Sequence, residues 1–319
     1  MKKLIAIVAG EPNSINSEII AKAWKKIKKK KNLFIIGNYS LLKKQFNKIG
    51  IKAKITEIDP KKLNIDSRNL SILDIPFKFK STFPTYSVDV KNYVLKSLDV
   101  AHNLASKKKI KGFVNAPVNK KVFNNKYLGV TEYLANKNNI RNKEAMLIFN
   151  KKLSVMPLTT HLEIKNVTNK IKPNLIKTKI LTLNKAYFSI FKRIPKIAIL
   201  GLNPHNSENR LNSIENKIIR PVIKSLKKLR VNINGPYSAD TVFNNQKKLN
   251  YNVIVGMYHD QVLAPFKALY GFDAINITLG LQYIRISPDH GTAKDIVGLN
   301  KANPQSLISA INFLSKIND

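Results

Sequence analysis

Short apolar runs alternate with longer amphipathic stretches along most of the chain. The apolar runs predict β-strands at residues 3–9, 33–37, 70–75, 110–114, 145–150, 153–158, 197–202, 253–257 and 274–278. The amphipathic stretches predict helices near residues 17–31, 90–105, 168–192, 214–230 and 304–317. This alternation is typical of α/β layers built on a mainly parallel sheet. A chain of 319 residues is long enough to form two domains of this kind.

Composition limits the classes of function that the chain can have. It contains no cysteine, which excludes disulfides and thiolate metal sites and is compatible with a reducing cytoplasm. No apolar run reaches the roughly 18 residues that a membrane span needs. The opening MKKLIAIVAG has an apolar core too short for a typical secretion signal, and we interpret it as a first buried strand.

The net charge of +37 would suit a nucleic-acid-binding protein. However, the lysines are scattered through nearly every predicted helix, and neither an aromatic RNA-binding string nor a zinc-finger spacing accompanies them. We therefore predict no specific nucleic-acid partner and no membrane partner. The charge should still attract anionic small molecules.

Three histidines follow apolar runs: His161, His205 and His259. Ligands of parallel α/β sheets gather at the carboxyl ends of the strands, where all three should lie. Three neutral imidazoles with an open fourth position would make a metal site of the catalytic type. Taken singly, a histidine in such a position is more often a structural loop or core residue, and it is the shared placement after strands that favours a metal site.

Lys267, Asn276 and Arg285 follow one another at spacings of nine residues. A lysine, an amide and an arginine fork would suit an anionic substrate that carries phosphate and carboxylate groups. An ordinary surface is the alternative, although Arg285 lies between two isoleucines. Thr131 begins a helical stretch and could offer a hydroxyl group to a ligand or cap the helix.

A nucleotide would need a scaffold without the usual glycine motifs, because the chain has no G-x-G pair and no Walker A string. The polar segment that begins at His290 is the candidate loop. Asp295 could bind ribose hydroxyls and Asn303 a base edge. Alternatively, Asp289 and Asp295 only shape the loop.

Six motifs occur in an order that identifies a known family. They are NAPVNK at residues 115–120, TTH at 159–161, GLNPH at 201–205, GPYSADT at 235–241, YHDQ at 258–261 and SPDHGTA at 287–293. Together they resemble the 4-hydroxythreonine-4-phosphate dehydrogenase family of vitamin B6 synthesis. The resemblance covers nearly the whole chain and is most specific from residue 157 onward. Residues 291–304 also look like the adenosine-binding loop of isocitrate and isopropylmalate dehydrogenases, whose fold the family shares.

The resemblance implies an α/β fold of two α/β/α domains with an intervening cleft, similar to isocitrate and isopropylmalate dehydrogenases and without a Rossmann fingerprint. Residues 1–125 with 280–319 would form the first domain, which holds the nucleotide loop. Residues 126–279 would form the second, which holds the metal and dimer contacts. The resemblance also implies a cytoplasmic homodimer with an active site shared between the subunits, so that one histidine ligand comes from the partner subunit.

Site residues follow from the resemblance motif by motif. A divalent ion (zinc, magnesium or cobalt) would be bound by His161, His205 and His259. The substrate would be bound by Thr131, Lys267, Asn276 and Arg285. The cofactor, NAD or NADP, would be bound by His290, Asp295 and Asn303. Asp240 and Asp260 are candidate proton acceptors in catalysis, or else hydrogen-bond partners of the histidines.

The implied activity is metal-assisted, NAD(P)-dependent oxidation of 4-(phosphooxy)-L-threonine at C3, followed by decarboxylation to 3-amino-2-oxopropyl phosphate. The chain departs from the family at Val130, where a histidine is usual, and at residues 10–17, which lack the expected glycines and aspartate. A sister dehydrogenase acting on 4-phosphoerythronate or phosphothreonate therefore stays open. The alternative from another class is a non-catalytic polyanion-binding protein.

Overall fold

The computed structural model describes residues 3–27, 32–271 and 273–317. The strands, numbered in chain order, are β1 Leu4–Val8, β2 Leu33–Gly37, β3 Ile55–Glu57, β4 Leu70–Asp74, β5 Ile110–Asn115, β6 Ala145–Phe149, β7 Ser154–Thr159, β8 Ile197–Leu200, β9 Ile233–Tyr237, β10 Val253–Tyr258, β11 Ile275–Leu279 and β12 Ile284–Pro288. The α-helices are α1 Asn16–Ile27, α2 Tyr39–Lys48, α3 Val88–Ser106, α4 Val130–Lys137, α5 Ile164–Lys170, α6 Pro173–Phe191, α7 Arg220–Lys228, α8 Ala239–Val242, α9 Gln246–Leu249, α10 His259–Tyr270 and α11 Gln305–Lys316.

The described chain divides into two compact units, each of mixed α/β structure. The first contains the residues up to Lys137 and those from Leu281 onward, and the second is Asn138–Gly280. This is a geometric division, and the functional domain limits inferred from the sequence stay a prediction. The α/β fold class itself is confirmed.

The first unit is built on parallel strands in the order β3-β4-β2-β1-β5-β12. Its strands are apolar runs because a parallel sheet is covered on both faces, and β2 is buried over its whole length. Helix α3 begins at an N-cap, Ser87, whose hydroxyl accepts a hydrogen bond from the Val90 amide. Its buried face packs into the apolar core of this unit.

Of the five strand pairings described in the second unit, three are parallel, as the sequence predicts, and two are antiparallel. Its strand order is β11-β6-β7-β10-β8-β9, and β6 pairs antiparallel with both β7 and β11. The β6–β7 pair is antiparallel because the connection between the two strands is short: the Asn150 amide donates to the Leu153 carbonyl at 3.1 Å. So tight a turn can join only antiparallel neighbours. The pairs of β10 with β7 and β8, and of β8 with β9, are parallel.

Every predicted strand and helix is present, with changes in extent. The helix predicted near 168–192 is interrupted before Pro173, which opens α6 at a position that proline favours. The first helix is described only as far as Ile27, and its predicted continuation at 28–31 lies outside the described residues. The sequence missed β12, which carries the buried Arg285. Among the described residues, no helix is both long and apolar enough to cross a membrane.

Candidate active site

Arg285 lies on β12 in the first unit, and its guanidinium holds two other polar side chains. Nε donates to Oδ1 of Asn115 at 2.5 Å, and Nη1 donates to Oγ1 of Thr131 at 3.1 Å. Asn115 is the last residue of β5, which pairs with β12, and Thr131 lies in the first turn of α4. We call these three residues, Arg285, Asn115 and Thr131, the Arg285 group. The sequence predicted a site role for Arg285 and Thr131 but not for Asn115.

The Arg285 group is an unusual place for a charge, because Arg285 is only 3% exposed. Burial lowers the pKa of Arg285 to about 10, while Glu132 and Tyr283 act to raise it. The guanidinium therefore stays protonated at neutral pH. A cation with so little access to water interacts more strongly with an anion than an exposed one would, because the screening is weaker.

Val130 immediately precedes Thr131 and has an apolar environment. Its side chain is 9% exposed and belongs to the core cluster of the first unit, together with Tyr133 and Leu134 of the same helix. A valine at this position contributes packing and has no hydrogen-bonding group to offer a substrate.

His161 and His259 lie close together in the second unit. His161 follows β7, and His259 is the first residue of α10, directly after β10. Because β7 and β10 are parallel neighbours, with Tyr258 opposite Thr159, both histidines emerge at the same edge of the sheet. Their ring centroids are 6.1 Å apart, and the ring planes are tilted by 32°.

The His259 ring is oriented by its neighbour in the sequence. Nδ1 of His259 lies 2.7 Å from Oδ1 of Asp260. With a carboxylate at Nδ1, the proton is held there and Nε2 keeps its lone pair, which is the arrangement that metal-binding histidines need. Two imidazoles, one of them fixed in this way, suit a first-row divalent ion such as zinc or cobalt.

His205 is not gathered with these two histidines. It is exposed and lies in a turn, His205–Asn209, in which every residue has a left-handed conformation with φ between 48° and 61°. Among the described residues, no three His, Cys, Asp or Glu side chains lie close enough to hold a metal ion. The structure therefore brings together two of the three predicted ligands within one chain.

The left-handed turn is anchored by a carboxylate that sequence reasoning missed. Glu215 is fully buried, and its Oε1 accepts hydrogen bonds from the amides of Leu202 and Asn203 at 3.0 and 2.9 Å. Its Oε2 accepts one from the Ser207 hydroxyl at 3.0 Å. Burial acts to raise the pKa of Glu215, but the hydrogen bonds outweigh burial and hold it below the usual value.

Two further predicted substrate residues lie in the second unit. Lys267 is half-buried on α10, about two turns beyond His259. Asn276 lies on β11, and its buried Oδ1 accepts no hydrogen bond from the described residues. A buried amide oxygen without a donor is costly, and a ligand that donates to it would remove that cost. Asp240, in α8, is exposed.

The predicted nucleotide residues lie in the first unit, in the segment between β12 and α11. Nδ1 of His290 lies 3.0 Å from the Gly291 carbonyl, and its buried Nε2 has no hydrogen-bond partner among the described residues. Asp295 is exposed. Oδ1 of Asn303 accepts from the Gln305 amide at 2.9 Å, which leaves its amide nitrogen as the group that could meet a base. The unsatisfied imidazole nitrogen and exposed carboxylate suit a dinucleotide.

This segment is held against α1 by contacts that the sequence did not reveal. Oε1 of Glu18 accepts from the Ala302 amide at 2.6 Å and from Nζ of Lys22 at 2.7 Å. Nζ of Lys22 also donates to the carbonyls of Asn300 and Ala302, each at 3.0 Å. No spacing signal could have found these bonds, because Glu18 and Ala302 are 284 residues apart.

Known proteins are similar to this chain over nearly its whole length. A family model described as "Pyridoxal phosphate biosynthetic protein PdxA" matches residues 29–314. The 4-hydroxythreonine-4-phosphate dehydrogenase of Sulfurihydrogenibium sp. is 39% identical, over 97% of this chain and 96% of that protein. The one from Aquifex aeolicus is 34% identical, over 100% of this chain and 99% of that protein.

Solved structures give the same result. The crystal structure of 4-hydroxythreonine-4-phosphate dehydrogenase from Klebsiella pneumoniae superposes with a TM-score of 0.87 at 29% identity, over 98% of both chains. A terephthalate 1,2-cis-dihydrodiol dehydrogenase from Burkholderia xenovorans, at 20% identity and a TM-score of 0.67, shares the fold alone. On the match of the family model and of these full-length relatives, the chain belongs to the PdxA family of pyridoxal phosphate biosynthetic proteins.

Proposed function

We propose that the chain is an NAD(P)-dependent, metal-assisted dehydrogenase of vitamin B6 synthesis. In this proposal it oxidises 4-(phosphooxy)-L-threonine at C3 and decarboxylates the resulting β-keto acid to 3-amino-2-oxopropyl phosphate. The observation that carries the proposal is the pairing of His161 with His259. This pairing occurs in a chain that matches its relatives, named as 4-hydroxythreonine-4-phosphate dehydrogenases, over nearly its full length.

Binding of the substrate would depend on four side chains. Arg285 and Lys267 would bind the anionic phosphate and carboxylate groups, the first as a fixed fork and the second as a point charge. Thr131 and Asn276 would add neutral hydrogen bonds. Because Arg285 is already held by Asn115, little side-chain entropy would be lost when the substrate binds. Much of the binding energy could then orient the C3 carbon for reaction.

Metal and cofactor would be held by separate residues. His161, His205 and His259 would hold the divalent ion, and His290, Asp295 and Asn303 would hold NAD or NADP. When bound, the ion supplies Lewis-acid chemistry at an oxygen atom, and the nicotinamide supplies a hydride acceptor. Asp260 would orient the His259 ring through its contact with Nδ1, which leaves Nε2 for the ion. Asp240 remains the other candidate for accepting a proton from the substrate.

The same proposal includes the assembly and the compartment. The protein would act in the cytoplasm as a homodimer whose active site takes one histidine ligand from the partner subunit. This assembly would supply the third imidazole at the edge of the sheet where His161 and His259 already lie together.

A second candidate function is a sister dehydrogenase that acts on 4-phosphoerythronate or phosphothreonate. One observation favours keeping it. Val130 is packed in an apolar cluster and has no group that could bond to a phosphate, so the substrate contact that a histidine would make at this position is missing.

A substrate panel with both nucleotides tests the two candidates. The purified protein is incubated with a divalent metal, NAD or NADP, and each of the three phosphorylated substrates, and the absorbance of the reduced cofactor is followed. We expect turnover of 4-(phosphooxy)-L-threonine. Turnover restricted to an aldonic acid or phosphothreonate would select the sister activity, and no turnover of any substrate would contradict both.

His259→Ala tests the role of the histidine pair. We expect turnover to fall by about 10³-fold or more, because several kcal/mol of transition-state stabilisation would be lost. The circular dichroism spectrum should be unchanged, since His259 is partly exposed. His102→Ala is the matched control, because His102 lies on α3 and is not one of the predicted site residues. Equal turnover by wild type and His259→Ala would contradict the metal assignment.

A further inference from the structure

We propose that Glu215 is a positioning residue, which holds the left-handed turn His205–Asn209 in the conformation that presents His205 to the metal. The inference rests on the proposed function and extends it to a residue with no metal or substrate contact of its own. Three observations carry it: the conformation of the turn, the hydrogen bonds of the buried carboxylate, and the bond between Gly201, shortly before the turn, and the helix that bears His259.

The turn adopts a conformation that its own sequence does not favour. Five successive residues have φ between 48° and 61°, and none of them is glycine. Left-handed backbone is unfavourable for L-residues because Cβ approaches the following carbonyl oxygen, and it is normally visited by single residues. Such a conformation persists only where the surrounding structure enforces it, and such sites are often functional.

Glu215 contacts the chain on both sides of His205. Before the turn it accepts from the amides of Leu202 and Asn203, and Nδ2 of Asn203 donates to Oε1 at 3.2 Å. Within the turn it accepts from the hydroxyl of Ser207. One carboxylate therefore ties together the chain that enters the turn and the residue two positions beyond His205.

Other bonds fix the far end of the turn. Nδ2 of Asn216 donates to the carbonyls of Asn209 and Arg210 at 2.8 and 2.9 Å, and Nη2 of Arg220 donates to Oδ1 of Asn209 at 2.5 Å. Glu215 and Asn216 are neighbours in a short π-helical segment, Glu215–Ile219, and such segments are frequent at functional sites. All these bonds to the turn thus come from one continuous segment, residues 215–220.

A further bond connects this region to the histidine pair. Nε2 of Gln261 donates to the Gly201 carbonyl at 2.8 Å, while its Oε1 accepts from the Met257 amide at 2.7 Å. Gln261 lies two residues after His259 on α10. The start of the His205 segment is therefore fixed relative to the helix that carries another predicted ligand.

The donors around Glu215 require a carboxylate. Leu202, Asn203 and Ser207 all donate hydrogen bonds to it, and glutamine has the same size but only one accepting oxygen. In Glu215→Gln, the amide group would direct its own N–H toward the Ser207 hydroxyl or the backbone amides. The turn should then lose part of its anchor while the apolar packing around the position stays intact.

Two measurements on the full-length protein test the proposal. Hydrogen exchange of the amides at 202–209 reports whether the turn is held, and calorimetric titration with cobalt or zinc ions reports the affinity for metal. For Glu215→Gln we expect faster exchange and metal binding that is weaker by about 10- to 100-fold, as for other residues that orient ligands. Glu208→Gln is the matched control: Glu208 lies in the same turn, but its side chain is exposed and pairs with Arg210. It should leave both quantities unchanged.

A variant without the histidine separates positioning from general damage. In a His205→Ala background, Glu215→Gln should weaken metal binding no further, because no ligand is left to position. A further loss equal to that seen in the wild-type background would overturn the proposal. Ser207→Ala, which removes one donor, gives the same test with a smaller effect if Glu215→Gln does not fold.

The outcome also distinguishes this proposal from the proposed function. If the wild-type protein binds metal and Glu215→Gln binds it equally well, only the positioning role is overturned. If the wild-type protein binds no divalent ion, the metal-assisted function is overturned and the positioning role with it, whatever the exchange data show.

Discussion

The Arg285 group and the histidine pair differ in how much of their arrangement the chain fixes by itself. Arg285 is buried and bonded to two residues from other elements, Asn115 and Thr131. The side chains of His259 and Asp260 are 38% and 78% exposed, and the bond that orients His259 comes from its own neighbour. The Arg285 group is held by bonds between distant parts of the chain, whereas the orientation of His259 depends on a bond to its neighbour in the sequence.

Because of this difference, we expect substitutions in the two regions to affect different quantities. Removing a buried charge partner leaves an unsatisfied group in a weakly screened environment, which costs stability as well as binding. Changing a partly exposed histidine removes little packing, so the main loss should be in metal binding and turnover. Variants of the Arg285 group should therefore lower both the free energy of unfolding and substrate affinity.

Arg285→Lys should show the largest effect. A lysine cannot reproduce the fork that reaches both Asn115 and Thr131, so at least one buried partner would be left without its donor. We expect kcat/KM for the phosphorylated substrate to fall by about 10²–10³-fold, with a free energy of unfolding lower by about 1–3 kcal/mol. Steady-state kinetics and urea unfolding measure the two quantities.

Arg193→Lys is a suitable control for this change. Nη2 of Arg193 donates to the Tyr187 hydroxyl at 3.2 Å in the second unit, and neither residue is one of the predicted site residues. It should change stability only slightly and leave kcat/KM within a factor of about two. A normal kcat/KM in Arg285→Lys would mean that Arg285 contributes to stability alone. The proposal that the Arg285 group binds the substrate would then be contradicted.

The sequence predicted the periodic parts of the fold and the types of the site residues. The strands before His161 and His259 were predicted because they are apolar runs, and this placement was enough to bring both histidines to one edge. The strand β12 was missed because Arg285 interrupts a short apolar run, and a charged residue there contradicts a buried strand on local grounds. Its bonds to Asn115 and Thr131, 170 and 154 residues away, explain it.

The conformation around His205 was beyond sequence reasoning for a different reason. Glycine in the sequence normally indicates a left-handed turn, and His205–Asn209 contains no glycine. What holds the turn is a carboxylate several residues later whose donors converge only in the folded chain. Asn115 was likewise part of a family motif without an assigned role. An amide directly after the predicted strand 110–114 was the one local signal that could have indicated it.

Asn115→Ala should show an intermediate effect. The change leaves Nε of the buried Arg285 without its acceptor, which costs about 1–3 kcal/mol in the free energy of unfolding. A less firmly held guanidinium should also raise KM for the substrate, by about tenfold, with a smaller change in kcat. Urea unfolding and initial-rate kinetics test both expectations.

Asn245→Ala provides the reference for Asn115→Ala, because its side chain is exposed and bonds only weakly to the Thr241 carbonyl at 3.3 Å. It should be neutral in both assays. If Asn115→Ala lost stability without any change in KM, the Arg285 group would be a structural brace and the anion-binding role would pass to Lys267.

Val130→His should show the smallest effect. It tests whether the residue before Thr131 contacts the substrate. Val130 packs with Tyr133 and Leu134, so an imidazole placed there loses hydration without gaining a partner. We expect the free energy of unfolding to fall by about 1 kcal/mol. The preference among the three phosphorylated substrates should shift by less than about tenfold, which corresponds to about 1.4 kcal/mol. Val130→Ala, which removes packing but adds no polar group, gives the stability baseline. A larger shift toward 4-(phosphooxy)-L-threonine in Val130→His alone would show that position 130 reaches the substrate, and that the buried valine rather than Arg285 sets the specificity of this chain.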